Sequence, residues 1–209
     1  MLRVRTPGSP NLRRVTEPIP YRFERDRTAA SLQDEFGSLA VGAETGVTVT
    51  VAGRLMLRRD MGKLAFGTLA DSSGRVQLMA TVAGTAAYED FVKLSLGDWI
   101  GATGEVVKTK KGEVSVRIDR WQVLAATQRP FPDKWHGVTD VDTRYRQRYV
   151  DLWVSEESRH MLAARSRVVS LTRRFLEDRG FMEVETPYLH GIAGGAHARP
   201  FTTHHNALD

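Results

Sequence analysis

The 209-residue sequence contains no cysteine. That excludes disulfide scaffolds, Cys-ligated zinc and thiol catalysis together, and leaves the redox compartment open. It also lacks any apolar run near the roughly 20 residues that a membrane helix needs, so a spanning protein is not expected. The first residues are basic but have no apolar core of the secretory type, so a soluble, cytoplasmic chain is the expectation. Neither a P-loop, nor a Rossmann fingerprint, nor a Ser/His/Asp arrangement can be picked out. What is present is ordinary: 41% hydrophobic and 26% charged residues suit one or two globular domains rather than a disordered or fibrous chain.

Charge is unevenly placed. The net charge is +5, yet residues 1–30 hold seven arginines against Glu17, Glu24 and Asp26, leaving the remainder almost neutral. The basic character is therefore a property of the leader and points only weakly to an anionic partner. Four prolines among the first twenty residues suit a solvated leader.

Period-two patterning begins after a short polar helix expected at Thr28–Phe36. Val47–Val51 alternates, and the apolar set runs past Gly53 through Leu55 and Leu57, predicting one long strand bent at the glycine. Leu64–Leu69 and Arg75–Met79 read as two more strands around a tight Asp71–Gly74 turn. A short helix is expected over Thr85–Leu96, with Ala87, Phe91 and Leu94 on one face. Trp99–Val107 and Val114–Ile118 complete the set, with Trp121–Leu124 a possible extension. Three strands, a helix and two strands are the order of a five-stranded Greek-key barrel of the OB type, and the position of the helix favours it over a generic small barrel.

Residues 129–154 read as a loop-like linker with aromatic anchors. A long helix is then expected, with Ser155 as N-cap and Gly180 as its stop. Met161, Val168 and Phe175, and likewise Leu162, Val169 and Leu176, repeat every seven residues, giving a broad apolar stripe that needs a partner surface. Phe181–Thr186 reads as a strand ended by Pro187. The second domain has too few elements to cover the stripe, so the chain is expected to be truncated.

The residues that could carry chemistry are few. Arg59, Phe66, Gln77 and Glu113 combine a cation, an aromatic platform and two hydrogen-bonding side chains on the expected barrel. OB barrels stack bases on such aromatics, and a glutamine amide can pair a base edge through donor and acceptor. From spacing alone Phe66 reads equally as a barrel-core residue. Arg144-Tyr-Arg-Gln-Arg-Tyr149 suits phosphate contact or an internal ion-pair network with Asp140, Asp142 and Asp151. His204 and His205 point oppositely on an extended chain and have no accompanying ligand set, so no metal site is expected. Gly194 and Gly195 would let backbone approach a small ligand.

Four strings together carry a specific resemblance: Arg129-Pro-Phe-Pro-Asp-Lys-Trp-His-Gly137, Arg144-Tyr-Arg-Gln-Arg-Tyr-Val-Asp-Leu152, Gly180-Phe-Met-Glu-Val-Glu-Thr-Pro187 and Gly194-Gly-Ala-His-Ala-Arg-Pro-Phe-Thr-Thr-His-His-Asn-Ala-Leu-Asp209. Over about residues 20–209 the chain closely resembles class II lysyl-tRNA synthetase of bacterial type. The resemblance implies lysine–tRNA ligase activity, with tRNA-Lys, L-lysine and ATP as partners, Mg2+ as cofactor of the full-length enzyme, and no cofactor expected on this portion alone. It implies a basic leader and short helix (1–45), an OB-fold anticodon-binding domain (46–127) and an interdomain linker (128–154). The start of an α+β catalytic domain built on an antiparallel sheet follows (155–209).

In that family Arg59, Phe66, Gln77 and Glu113 fall on anticodon-reading positions, with Phe66 stacking on the central uridine and Gln77 bonding its edge. Gly194 falls on a glycine that lends backbone to the lysine pocket. Gly180, Phe181, Val184 and Pro187 lie on motif 1, the homodimer interface. Motifs 2 and 3 are absent, so no catalytic residue is assigned and this portion is expected to be inactive alone. Gly191, Ala193 and His197 depart from the family's usual residues, as does the leader. The rival readings are a related aspartyl or asparaginyl enzyme and the soluble half of a membrane lysyltransferase.

Overall fold

The computed structural model describes residues 20–129, 137–191, 199 and 201–207. The chain forms two compact units, Met1–Trp135 and His136–Asp209.

The first unit is built on a closed barrel of five strands in the spatial order β1–β2–β3–β5–β4. These are β1 (Glu44–Asp60), β2 (Leu64–Ala70), β3 (Arg75–Thr81), β4 (Trp99–Lys108) and β5 (Val114–Ala125). All pairings are antiparallel except β3 with β5, which closes the barrel in parallel. Inward positions carry Val49, Val51, Leu55, Ala65, Leu69, Leu78, Ile100, Ala102, Val106, Val116 and Ile118, all essentially buried. Closure leaves no free sheet edge over these ladders. The N-terminal half of β1 lies beyond the reach of β2, and there Asp26 bonds both the N–H and the C=O of Thr50.

Helix α1 (Ala29–Phe36) covers one barrel opening through Ala29, Leu32 and Phe36. Its first N–H groups, which no helical carbonyl can reach, are satisfied from three places. Ala29 N–H donates to Asp71, Ala30 N–H to the Ser73 hydroxyl and Ser31 N–H to the Thr28 hydroxyl. Asp71 also accepts from the amides of Ser73 and Gly74, so one carboxylate shapes the β2–β3 turn and pins the helix.

Three expectations are corrected in this unit. The long first strand is irregular at a bulge between Leu55 and Leu57, not at Gly53. Gly53 is required for another reason: a Cβ there would stand 2.5 Å from the Ala70 carbonyl oxygen, where β2 closes over it. Leu57 is consequently outside the core cluster. The helix expected over Thr85–Leu96 contracts to one turn, α2 (Tyr88–Phe91). Ala87 before it has φ of 50°, and the Thr85 hydroxyl, accepting from Thr81 N–H and donating to the Ile118 carbonyl, draws residues 81–86 into a turn. Phe91 and Leu94 are buried as expected, whereas Ala87 is exposed. Beyond Ile118, β5 does extend, to Ala125.

In the second unit the region read as loop contains two short helices, α3 (Val141–Arg146) and α4 (Arg148–Val154). Asp140 caps the first by accepting from Thr143 N–H. Asp151, 1% exposed, accepts from Arg144 and Arg148 at 3.2 and 3.0 Å, and Arg146 pairs with Asp142 at 2.7 Å. The arginine-tyrosine string is thus an internal ion-pair network. Helix α5 (Glu156–Glu177) starts at Ser155, whose hydroxyl accepts from Ser158 N–H. Past its end, Gly180 takes φ of 78°, and Gly180 and Phe181 donate back to Glu177 and Leu176. The strand expected at Phe181–Thr186 is not formed: no described segment lies alongside to provide a ladder, and without one an extended chain is not a strand. No strand pair of an antiparallel sheet occurs among the described residues of this unit.

Candidate nucleic-acid interface

The bulge in β1 decides what the barrel shows to solvent. Val49, Val51, Gly53 and Leu55 all face inward, so strict alternation would send Leu57 and Arg59 inward too. The extra residue inverts the phase, and Arg59 pairs with Phe66 on the outward face while Arg58 turns toward α2 and donates to the Leu94 carbonyl.

Two cross-strand rows result on the outward face. One runs Arg59–Phe66–Met79–Arg117 across β1, β2, β3 and β5; the other runs Leu57–Thr68–Gln77–Ser115. Phe66 is half-buried, while its neighbours Ala65 and Gly67 are buried inward, so it is not a core residue. Gly67 gives space to Leu55 and Phe91, whose side chains lie 3.0 and 3.5 Å from where its Cβ would be. Core volume behind Phe66 is therefore filled by other side chains, and the ring remains available at the surface.

Gln77 is the polar centre of the face, and only 6% exposed. Its amide nitrogen donates to the Glu113 carboxylate at 2.5 Å and its amide oxygen accepts from the Ser115 hydroxyl at 2.9 Å. Glu113 lies at the end of the turn joining β4 to β5, which also carries exposed Lys110 and Lys111. Arg59 and Lys63 are exposed at the β1–β2 end. Arg117, by contrast, is held by Glu44 at 2.6 Å and Glu105 at 2.5 Å. These two carboxylates raise its affinity for its proton. The Gly46 amide and Arg117 in turn hold Glu105 below the usual carboxylate range.

The structure thus brings Arg59, Phe66, Gln77 and Glu113 onto one face. Sequence reasoning missed Met79, Thr68 and Ser115, which join them only through strand register; periodicity within one strand carries no signal for that. Gly194 lies outside the described residues. Gly180, Phe181, Val184 and Pro187 are exposed at and beyond the end of α5. Met161, Leu162, Val168, Val169, Phe175 and Leu176 on α5 are exposed as well.

A half-exposed aromatic, a glutamine amide and peripheral cations on an outward barrel face define a single-strand-binding OB surface. Residues 49–124 match the family described as OB-fold nucleic acid binding domain, and residues 140–209 match tRNA synthetases class II (D, K and N). Among curated relatives, the lysine–tRNA ligase of Prochlorococcus marinus is 51% identical over 203 residues, covering 92% of this chain and 40% of the relative. That of Carboxydothermus hydrogenoformans is 49% identical over 212 residues, covering 100% of this chain and 42% of the relative. The chain resembles class II lysyl-tRNA synthetases from end to end, as its sequence strings indicate, and spans about two fifths of the length of these relatives.

Proposed function

We propose that these 209 residues serve lysine–tRNA ligation as the part that reads the tRNA anticodon and opens the catalytic domain. In the complete reaction, the lysine carboxylate attacks the α-phosphate of ATP, pyrophosphate leaves, and the lysyl group passes from the adenylate to a hydroxyl at the tRNA 3′ end. The share of this chain is recognition. Phe66 stacks on the central uridine of the anticodon, Gln77 bonds its edge, and Arg59 and Glu113 hold the neighbouring nucleotides. The lysine pocket includes backbone at Gly194. Gly180, Phe181, Val184 and Pro187, with the exposed stripe of α5, belong to a homodimer interface, and the enzyme works in the cytoplasm on a catalytic domain built around an antiparallel sheet.

The observation that carries this reading is the placement of Phe66 beside Arg59 and one row from Gln77 on the outward face, away from the core. ATP and Mg2+ serve the whole enzyme. Among the described residues no group of three His, Asp or Glu side chains is placed to hold a metal ion, and no step is assigned through it. No helix among the described residues is long and apolar enough to cross a membrane. Titrating the protein with anticodon stem-loops differing only at the central base tests the reading. Uridine should bind tightest; equal binding of all four bases would refute it.

A further inference from the structure

We infer that Ser115 is a positioning residue that, with Glu113, fixes which way round the Gln77 amide faces, and that this orientation is what separates uridine from cytidine. The inference rests on the anticodon reading above and deepens it. Gln77 is nearly buried and both ends of its amide are engaged: nitrogen to Glu113 at 2.5 Å, oxygen to Ser115 at 2.9 Å.

The orientation is enforced by chemistry. A carboxylate only accepts hydrogen bonds, so a flipped amide would set its oxygen against Glu113, acceptor against acceptor. The Ser115 side chain is fully buried, and its hydroxyl faces two acceptors, the Gln77 amide oxygen at 2.9 Å and the Glu113 carbonyl at 3.2 Å. Its proton therefore points toward acceptors, and the carbonyl end of Gln77 is tethered. The two partners leave one N–H and one oxygen lone pair of the amide, in fixed order, for a ligand.

That order matters for a stacked pyrimidine. With its ring held on Phe66, uracil offers an O4 acceptor beside an N3–H donor, and cytosine an N4–H donor beside an N3 acceptor. The two edges are complementary to opposite orientations of the same amide. A Gln77 free to turn over would accept both; a clamped one accepts uracil and opposes cytosine.

The test uses the 209-residue protein and four anticodon stem-loops varying only at the central base. Ser115→Ala should lower the uridine-over-cytidine preference about tenfold, mainly by improving cytidine binding. Ser115→Thr, which restores the hydroxyl, should recover the preference. Glu113→Gln, at an exposed position with no folding role, should also relax the preference, because an amide can face either end of Gln77. A uniform loss across all four bases in Ser115→Ala would overturn the inference, since burial alone would then explain Ser115. An unchanged preference in Ser115→Ala and Glu113→Gln, with Gln77→Ala having lost it, would overturn the inference and leave the anticodon reading standing. A wild-type protein with no uridine preference would overturn both.

Discussion

Single residues in this chain act mostly through register. Gly53 reads in the sequence as a point where a strand could bend; in the fold it is the point where the Ala70 carbonyl comes too close for a side chain. Gly53→Ala should therefore lower stability by about 1–3 kcal/mol through forced backbone displacement, measured by urea unfolding. An unchanged midpoint would mean that the β1–β2 crossing tolerates a Cβ. Phe66 shows the limit of spacing. Alternation within β2 puts Ala65, Gly67 and Leu69 on one face and Phe66 on the other, but which face is the core is decided by small residues surrendering volume to Leu55 and Phe91. Ser115 was illegible for a related reason: nothing within β5 says that its neighbour across the parallel pairing is Gln77.

Among the elements, those with chemically marked ends were readable. Thr28, Ser155 and Gly180 cap or stop their helices as their residue types suggest. Where tertiary bonds override local pattern, the reading failed. The α2 segment shrank because Thr85 bonds the barrel wall, and α3 and α4 emerged from an apparent loop because Asp140 caps one and buried Asp151 gathers two arginines. Asp71 ties two elements and makes a pH prediction. Partial burial alone would raise its pKa, but the Ser73 hydroxyl and the amides of Ala29, Ser73 and Gly74 outweigh that and hold it below its ordinary value. A carboxyl depressed by folding adds stability that is full above its unfolded pKa of about 4 and is lost as pH falls through the lower folded value. Asp71→Asn should thus destabilise the protein at neutral pH and flatten the decline of the melting temperature between about pH 4 and pH 2. Parallel acid profiles for variant and wild type would show that Asp71 is not a source of that decline.

At the scale of the whole molecule, the two units differ in how their surfaces are satisfied. The barrel closes on its own core, whereas α5 from His160 onward is exposed along its length, including the Met161–Leu176 stripe. Hydrogen exchange should accordingly find slow amides concentrated in 47–124 and faster ones beyond Ser155; uniform protection throughout a monomer would contradict this. Adenylate chemistry needs acids and cations gathered in one pocket. Glu183 is instead committed to Arg173 at 2.9 Å, and Glu185 is exposed. We expect no lysine-dependent pyrophosphate exchange from the 209 residues. The central claim, that the outward barrel face reads the anticodon, is tested most directly by the affinity of a tRNA-Lys anticodon stem-loop for the wild type, Phe66→Ala and Phe66→Leu. Phe66→Ala should lose about 1–3 kcal/mol of binding, and Phe66→Leu should recover little, because bulk without a π-face does not stack. Wild-type affinity in both variants, with the barrel still folded, would contradict it.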